Sequence, residues 1–282
     1  MGSRNNGIAI SIVLYKPDFR KLIRALECLR RALEVSDSRE CFRSSHLFIV
    51  DNSVPALDHG LLTGILKKHY FGNNDGGHSW SIHVVGRNVG YGAGHNLVIW
   101  HHTYPYHVIL NPDVYVKDRA FSVCWEYSER NPETVLITPR VTFADGTPQY
   151  LLRKEPTLFD VFLRFAGIFI PSLRNLSRYR NYECQHLDMC RIHKNVFPVT
   201  GCCMWCRSDI LRDVGGFDER FFLYYEDYDL SRRLAMRGDV TFLPDFEVVH
   251  DWNRAMTRNV RLMFYNMISA LKYFHKWGWK IL

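Results

Sequence analysis

The chain contains no apolar run of the ~18 residues that a membrane-spanning helix needs, so no span is expected. Its most apolar segment, TLFDVFLRFAGIFIPSL, is interrupted by Asp160 and Arg164; it can lie on a membrane surface but not cross one. No secretion signal is expected either: the apolar stretch in MGSRNNGIAISIVLYKPDF is only about eight residues long and ends at a charged turn, which suits a buried strand. The 8 cysteines follow no disulfide framework, which points to a reduced, cytoplasmic setting. GCCMWC (201–206) lacks a second Cys/His pair at zinc spacing and reads as a buried strand. No run of about five or six basic residues occurs, so a nucleic-acid-binding tail is not expected despite a net charge of +7. There is no internal repeat and no linker long enough to separate two domains.

Within its 282 residues, 47% hydrophobic content is ample for a core, and 14% aromatic content suits aromatic-lined clefts as well as core packing. The positive balance suits phosphate-bearing substrates or anionic lipid.

The first half alternates between two periodicities. IAISIVLY (8–15) is a continuous apolar, β-branched run, as in a strand covered on both faces. DFRKLIRALECLRRALE (18–34) places Leu22, Leu26, Leu29 and Leu33 on one helix face and basic residues on the other. Strands are expected at 46–53, 80–85 and 106–114, with helices near 56–70 and 92–102 between them. This βαβαβαβ order predicts an α/β fold with a mostly parallel twisted sheet and helices on both faces, Rossmann-like in its first half. Further on, Asp145-Gly146 reads as a hairpin turn within 140–153, and 157–195 is aromatic, basic and irregular. NVFPVTGCCMWCR reads as a strand and RSDILRDVGGFDERF as a short helix closed by Gly215-Gly216; a helix running to about Gly238 and an amphipathic helix over 257–277 complete the chain.

In a parallel sheet the ligand sits beyond the carboxyl ends of the strands. Those ends carry Tyr15, Asp51, Arg87-Asn88 and Asn111-Pro112-Asp113, all polar, aromatic or turn-forming. Asp51 can accept the ring N3–H of a pyrimidine that Tyr15 flanks; it can equally cap the following turn. RNVGYGAGHN brings Gly90, Gly92 and Gly94 to a helix N-terminus, where backbone can approach phosphate, while Asn88 and Asn96 add side-chain donors; a plain tight turn is the alternative. Asp113 can hold a hard divalent ion or cap a loop, and His250, ending FEVVHDW, can be a ligand of that ion or a satisfied buried histidine.

FLYYEDYDLSRRL (222–234) concentrates Glu226, Asp227 and Asp229 behind two tyrosines. Asp229 is the expected helix cap. Glu226 and Asp227 are then left for general-base work, their pKa raised by the neighbouring aromatics.

Taken together, SIVLYKPD, IVDNS, NVGYGAGHN, ILNPDV, GCCMWCRSDILRDVGGFDERFFLYYEDYDLSRRLAMRG, VVH and VRLMFYNMISALKYFHKWG resemble the family-2 glycosyltransferases, and among them bacterial rhamnosyltransferases of surface polysaccharide. The resemblance covers most of residues 8–277; 150–195 carries no matching motif. It implies one GT-A domain: a nucleotide-sugar half at about 7–115, an acceptor half at about 116–256, and a C-terminal helix at about 257–282. It further implies inverting transfer from a nucleoside-diphosphate sugar, dTDP-rhamnose being the family-level guess, to a glycan or lipid-linked saccharide of the O-antigen type. Mg²⁺ or Mn²⁺ is the implied cofactor. Asn111 stands at the first position of the Asp-x-Asp motif, so metal binding falls on Asp113, with His250 as second ligand. Asp227 becomes the base, Glu226 its neighbour at the substrate, and Tyr15, Asp51, Asn88, Gly90, Gly94, Asn96 and Asn111 become substrate contacts. Arg254 is a further, weaker candidate at the diphosphate. Segment 157–180 and the last helix are expected either to dock on the inner face of a membrane or to cover the acceptor site.

Three other classes compete. A sugar nucleotidyltransferase needs a Gly-rich basic loop after the first strand, where LYKPDF stands. A non-catalytic nucleotide-sugar-binding relative would lack the base or the metal carboxylate, and both are present. A nucleic-acid binder is suggested only by charge and aromatics.

Overall fold

The computed structural model describes residues 6–72, 75–252 and 259–282. Four strands, β1 (Gly7–Leu14), β2 (Ser44–Asp51), β3 (His78–Val84) and β4 (Tyr106–Leu110), pair in parallel. Their apolar runs are buried because helices cover both faces. On one side α1 (Phe19–Ser38), α2 (His59–His69) and α4 (Ala120–Arg130) pack on Ile8, Ile10, Ile12 and Leu14. The expected leucine stripe of α1 is the buried face, and Asp18 caps it by accepting from the Arg20 N–H. On the other side lie α3 (Tyr91–Ile99), α7 (Ser208–Asp213) and α8 (Glu226–Ala235).

The sheet continues past β4 through β8 (Cys203–Arg207), β6 (Thr134–Thr142) and β9 (Asp239–His250) to β5 (Val114–Val116), giving the order β3-β2-β1-β4-β8-β6-β9-β5; β7 (His193–Lys194) pairs with β9. β8 runs antiparallel to both its neighbours, β4 and β6. Its start, residues 201–203, therefore lies at the same edge as the carboxyl ends of β1, β2 and β4. β6 is parallel to β9, and Val114 of β5 pairs with His250 of β9, so His250 and Asp113 reach that edge as well.

Some expectations need correction. The 106–114 stretch is two strands on opposite parts of the sheet. Pro112 offers no N–H, the Asn111 N–H turns to the Cys202 carbonyl, and the chain crosses over to β9. The 140–153 hairpin reduces to β6, a turn closed by Phe143 N–H to the Thr147 carbonyl, and an isolated bridge at Pro148. Asp160 does more than interrupt an apolar run. With Thr157 it forms the capping box of α5 (Leu158–Phe169), and Arg178 of α6 (Ser177–Tyr182) donates to its other oxygen at 2.9 Å.

Asp229 is not a cap. It lies inside the first turn of α8, fully buried, and binds α9 (Val260–Trp277) to it: Lys276 Nζ at 2.6 Å, Trp277 Nε1 at 2.9 Å, with Arg233 at 2.8 Å on the other oxygen. A buried carboxylate is tolerable when its oxygens are consumed in this way. Tyr225, Tyr228, Tyr273 and Phe274 pack around the same joint.

On the α3 side of the sheet the polar core is a chain of rings. Ser11 Oγ contacts His95 Nδ1 and His107 Nε2, each at 2.7 Å, and His107 Nδ1 meets His102 Nε2 at 2.8 Å.

Candidate functional site

The edge assembled by β1, β2, β4, β8 and β9 is organised around one peptide, Gly201–Cys202. The Gly201 N–H donates to Asp227 Oδ2 at 2.8 Å, and the Gly201 carbonyl accepts from the Tyr91 hydroxyl at 2.7 Å. The next carbonyl, of Cys202, accepts from the Asn111 N–H. The base candidate and the start of the Asn111-Pro112-Asp113 turn are thus fastened to adjacent residues.

Asp227 enters the edge from an unusual local structure. Tyr224 and Tyr225 both have left-handed backbone, φ +68° and +63°, which costs a non-glycine residue on the order of 1–3 kcal/mol. Ring packing of Tyr225 against Tyr228 and Tyr273 holds it there. The turn starts α8 without any side-chain cap and leaves its two leading acids in different surroundings. Glu226 is buried, and its Oε2 has no hydrogen-bond partner among the described residues. Burial, then the charge of Asp227, pushes its carboxyl well above the ordinary range. Asp227 is half-buried and accepts two N–H groups, from Gly201 and Tyr228. Burial raises its pKa as well, but those donors and Arg164 oppose the rise. Of the two, Glu226 is pushed up further and is the one that favours keeping a proton, because adjacent buried carboxylates do not both ionise cheaply and only Asp227 has N–H donors.

Across the edge, His250 Nε2 lies 3.6 Å from Asp113 Oδ1. His250 is pushed up to about 10: burial works against its charge, and contacts with Asp113 and Cys202 outweigh that. Its Nδ1 and the Asn111 Oδ1 are both buried without a hydrogen-bond partner among the described residues. One carboxylate, one imidazole and an orphaned amide oxygen fit a hard divalent cation whose remaining positions come from substrate oxygens and water. No cluster of three or more His, Cys, Asp or Glu that would hold an ion unaided exists among the described residues.

At the β1–β2 end, Tyr15 is half exposed, beside Asp51 and Asn52. Asp51 is fully buried and accepts from the Ser53 and Leu57 N–H groups at 2.9 and 2.7 Å, so it braces the turn that borders Tyr15. Asn88 is partly exposed, and its side chain accepts from the Gly90 N–H.

Three expected contacts face the protein's own chain. A Cβ at Gly90 would stand 2.4 Å from the Phe222 carbonyl, and one at Gly94 2.9 Å from the Val13 methyls. These glycines admit protein backbone and side chains, so the close approach is internal. One N–H at the α3 N-terminus is taken, since the Tyr91 N–H donates to the Phe222 carbonyl. Asn96 spends its amide on Phe217 and Glu219 and accepts from the Phe217 N–H at 2.8 Å. It fastens the loop before Tyr224 to α3. Arg254 lies outside the described residues.

Sequence reasoning missed the Gly201–Cys202 peptide, which the cysteine-rich run had suggested only as a strand. It also missed Gln149, whose Nε2 holds the His250 carbonyl at 2.6 Å, and Arg164, which lies near Asp227. No local signal marks the last two.

Comparison with known proteins places the chain in a family and a fold. Residues 95–267 match the family model described as glycosyltransferase like family 2. The N-acetylglucosaminyl-diphospho-decaprenol L-rhamnosyltransferase of Mycobacterium tuberculosis is 28% identical over 145 residues, 51% of this chain and 46% of that protein. Rhamnosyltransferase WbbL of Escherichia coli is 28% identical over 180 residues, 60% of this chain and 63% of that one. The chain therefore matches less than two thirds of either relative's length. GalNAc-T7, solved with UDP, GalNAc and Mn²⁺, superposes with a TM-score of 0.58 at 12% identity, over 88% of this chain and 44% of that one. At that identity the likeness concerns the fold, which is GT-A.

Proposed function

The chain belongs to the glycosyltransferase-like family 2, and from that premise we propose that it transfers a sugar, L-rhamnose from dTDP-rhamnose, to a hydroxyl of a glycan or lipid-linked saccharide with inversion at the anomeric carbon. The observation that carries the reading is the placement of Asp227, half-buried and fastened to Gly201, at the edge where Asp113 and His250 meet. The names of the two relatives support rhamnose, and the GalNAc-T7 complex supports a nucleotide donor and a divalent ion.

In this mechanism Tyr15 flanks the base of the nucleotide, with Asp51 and Asn88 framing it. Asp113 and His250, with Asn111 beside them, would hold Mg²⁺ or Mn²⁺, which when bound supplies positive charge against the donor diphosphate. Asp227 takes the proton of the acceptor hydroxyl as that oxygen bonds to the anomeric carbon. The bond from that carbon to the diphosphate breaks on the opposite face, and the diphosphate leaves with the electron pair. Glu226, protonated, adds no second negative charge beside the base.

A panel of nucleotide sugars, scored by nucleoside diphosphate released in the presence of a saccharide acceptor, tests the reading. The expected result is selective release with dTDP-rhamnose, lost on chelation with EDTA and restored by Mn²⁺ or Mg²⁺. Equal release in EDTA would remove the metal from the proposal, and no release with any donor would remove the transfer itself.

Among the described residues no helix is long and apolar enough to cross a membrane. The protein instead presents an apolar stripe on α9, Val260, Phe264, Met267 and Leu271, together with Phe162 and Phe169 of α5, all exposed. Arg261 and Lys272 flank the stripe in sequence, which suits the anionic inner face of a cytoplasmic membrane. Pelleting with phosphatidylglycerol vesicles is expected at low salt and should weaken in Phe162→Ser/Phe264→Ser; absence of pelleting at low salt rules the contact out.

A further inference from the structure

A cavity of about 380 Å³ opens beside the candidate base, walled by α5, α6 and the chain following β6. Tyr225, the residue preceding the two acids, lines it, and so does Gln149, which holds the His250 carbonyl. The cavity therefore adjoins both halves of the site. Its volume is that of a small-ligand pocket.

Its charge is one-sided. Arg153, Arg164, Arg174 and Arg180 line it, against the single carboxylate of Glu183. That carboxylate is taken up by Arg153 at 3.4 Å and by the Gln185 amide. Arg153 is further occupied with the Tyr150 and Leu152 carbonyls, and Arg174 gives one N–H to Gly167. Arg164 is half-buried and has no ion pair or hydrogen bond among the described residues. It lies over the Tyr182 ring, its guanidinium carbon 5.8 Å from the centroid. Asp227 feels the charge of Arg164 from nearby, but among the described residues no carboxylate pairs with it directly; a half-buried guanidinium without a hydrogen-bond acceptor is costly, and an anion repays that cost through paired N–H donors. Guanidinium is the side chain that binds phosphate in this bidentate way, and aromatic stacking is its usual support.

We infer that this cavity is an anion subsite for the acceptor, in which Arg164, assisted by Arg174 and Arg180, grips a phosphate or diphosphate group and thereby sets the acceptor hydroxyl against Asp227. The inference rests on the sugar-transfer reading for the word acceptor, but not for the site itself. The same phosphate chemistry is available from a sugar phosphate or from a polyisoprenyl diphosphate.

Calorimetric titration in EDTA, so that no metal-assisted diphosphate binding contributes, tests the site directly. Inorganic pyrophosphate is the first probe; N-acetylglucosamine 1-phosphate and farnesyl diphosphate are the second and third. The full chain is expected to bind pyrophosphate, and Arg164→Gln to weaken it by ~10-fold or more, as loss of a charge-assisted pair implies. Arg164→Lys should recover part of the affinity. Arg180→Gln, at an exposed position, gives an independent and smaller loss should Arg164→Gln melt early in a thermal scan. Farnesyl diphosphate binding more tightly than the sugar phosphate assigns the group to a lipid carrier, and the reverse order assigns it to a soluble acceptor. Undiminished pyrophosphate binding by Arg164→Gln and Arg180→Gln overturns the subsite. Arginine-dependent binding in a protein that turns over no nucleotide sugar would leave the subsite standing and sink the transferase reading instead.

Discussion

Asp227→Asn is expected to lower sugar transfer by about 10²- to 10⁴-fold while leaving nucleoside diphosphate binding within a few-fold of the wild type. The substitution preserves shape, and the amide oxygen can still accept from Gly201 N–H; the contact from Tyr228 N–H is given up, but the rings packed around Tyr225 should keep the start of α8 in place. What disappears is the ability to take a proton. The paired change, Glu226→Gln, separates the two acids. If Glu226 is already protonated, replacing its carboxyl by an uncharged amide of the same size changes little, and transfer should remain within about tenfold of wild type. The reasoning depends on unequal surroundings: two N–H donors at Asp227 against a partnerless buried oxygen at Glu226. Full activity in Asp227→Asn overturns the assignment, and collapse in Glu226→Gln with survival of Asp227→Asn exchanges the roles.

That distinction was not legible in the sequence. Three acids in four positions announce an unusual site, but spacing alone does not say which is solvated. Asp229 shows why. Its cap-like position in FLYYEDYDLSRRL suggested local helix chemistry, whereas its partners Lys276 and Trp277 come from the far end of the chain. The parallel half was readable because β1 is an apolar run broken only by Ser11 and buried on both faces, and because polar residues mark the carboxyl ends of its strands. The second half was harder. β8 inserts antiparallel between β4 and β6, a choice no local period encodes, and it is this insertion that brings Gly201–Cys202 to the active edge. Glycine-rich RNVGYGAGHN is a warning of the same kind. The sequence reports that something approaches Gly90 and Gly94 closely, and only the fold reveals that Phe222 and Val13 stand there. The segment 150–195 gave no motif: its cavity-lining arginines are single residues spread over loops and short helices.

The ring chain beneath the sheet predicts marked acid sensitivity. His95 and His107 are fully buried and His102 partly so. Burial depresses His95 to about 3 and His102 to about 4, and drives His107 well below its ordinary 6.5. In the unfolded chain all three take up protons near pH 6.5, while in the folded chain they stay neutral. Folding stability attributable to them is complete above pH 6.5 and is lost progressively as pH falls toward 4. At pH 5 His95 alone removes ~2 kcal/mol, and His102 and His107 act in the same direction. Glu226, Asp227 and His250 have the opposite sign, since a group raised on folding favours the folded state more as pH falls, while His46 and His83, lowered by burial, act with the three rings. With five rings lowered on folding against three groups raised, the melting temperature should be lower at pH 5 than at pH 7.5. Substituting His95→Gln/His102→Gln removes two of the groups that titrate only in the unfolded state. That variant should melt lower than wild type at pH 7.5, having lost contacts to Ser11 and His107, yet show a shallower decline between pH 7.5 and 5. The slope, rather than the absolute melting point, is the diagnostic quantity. An unchanged slope would mean that the acid response originates elsewhere, and a wild-type melting point independent of pH would show that the buried rings take up protons without unfolding.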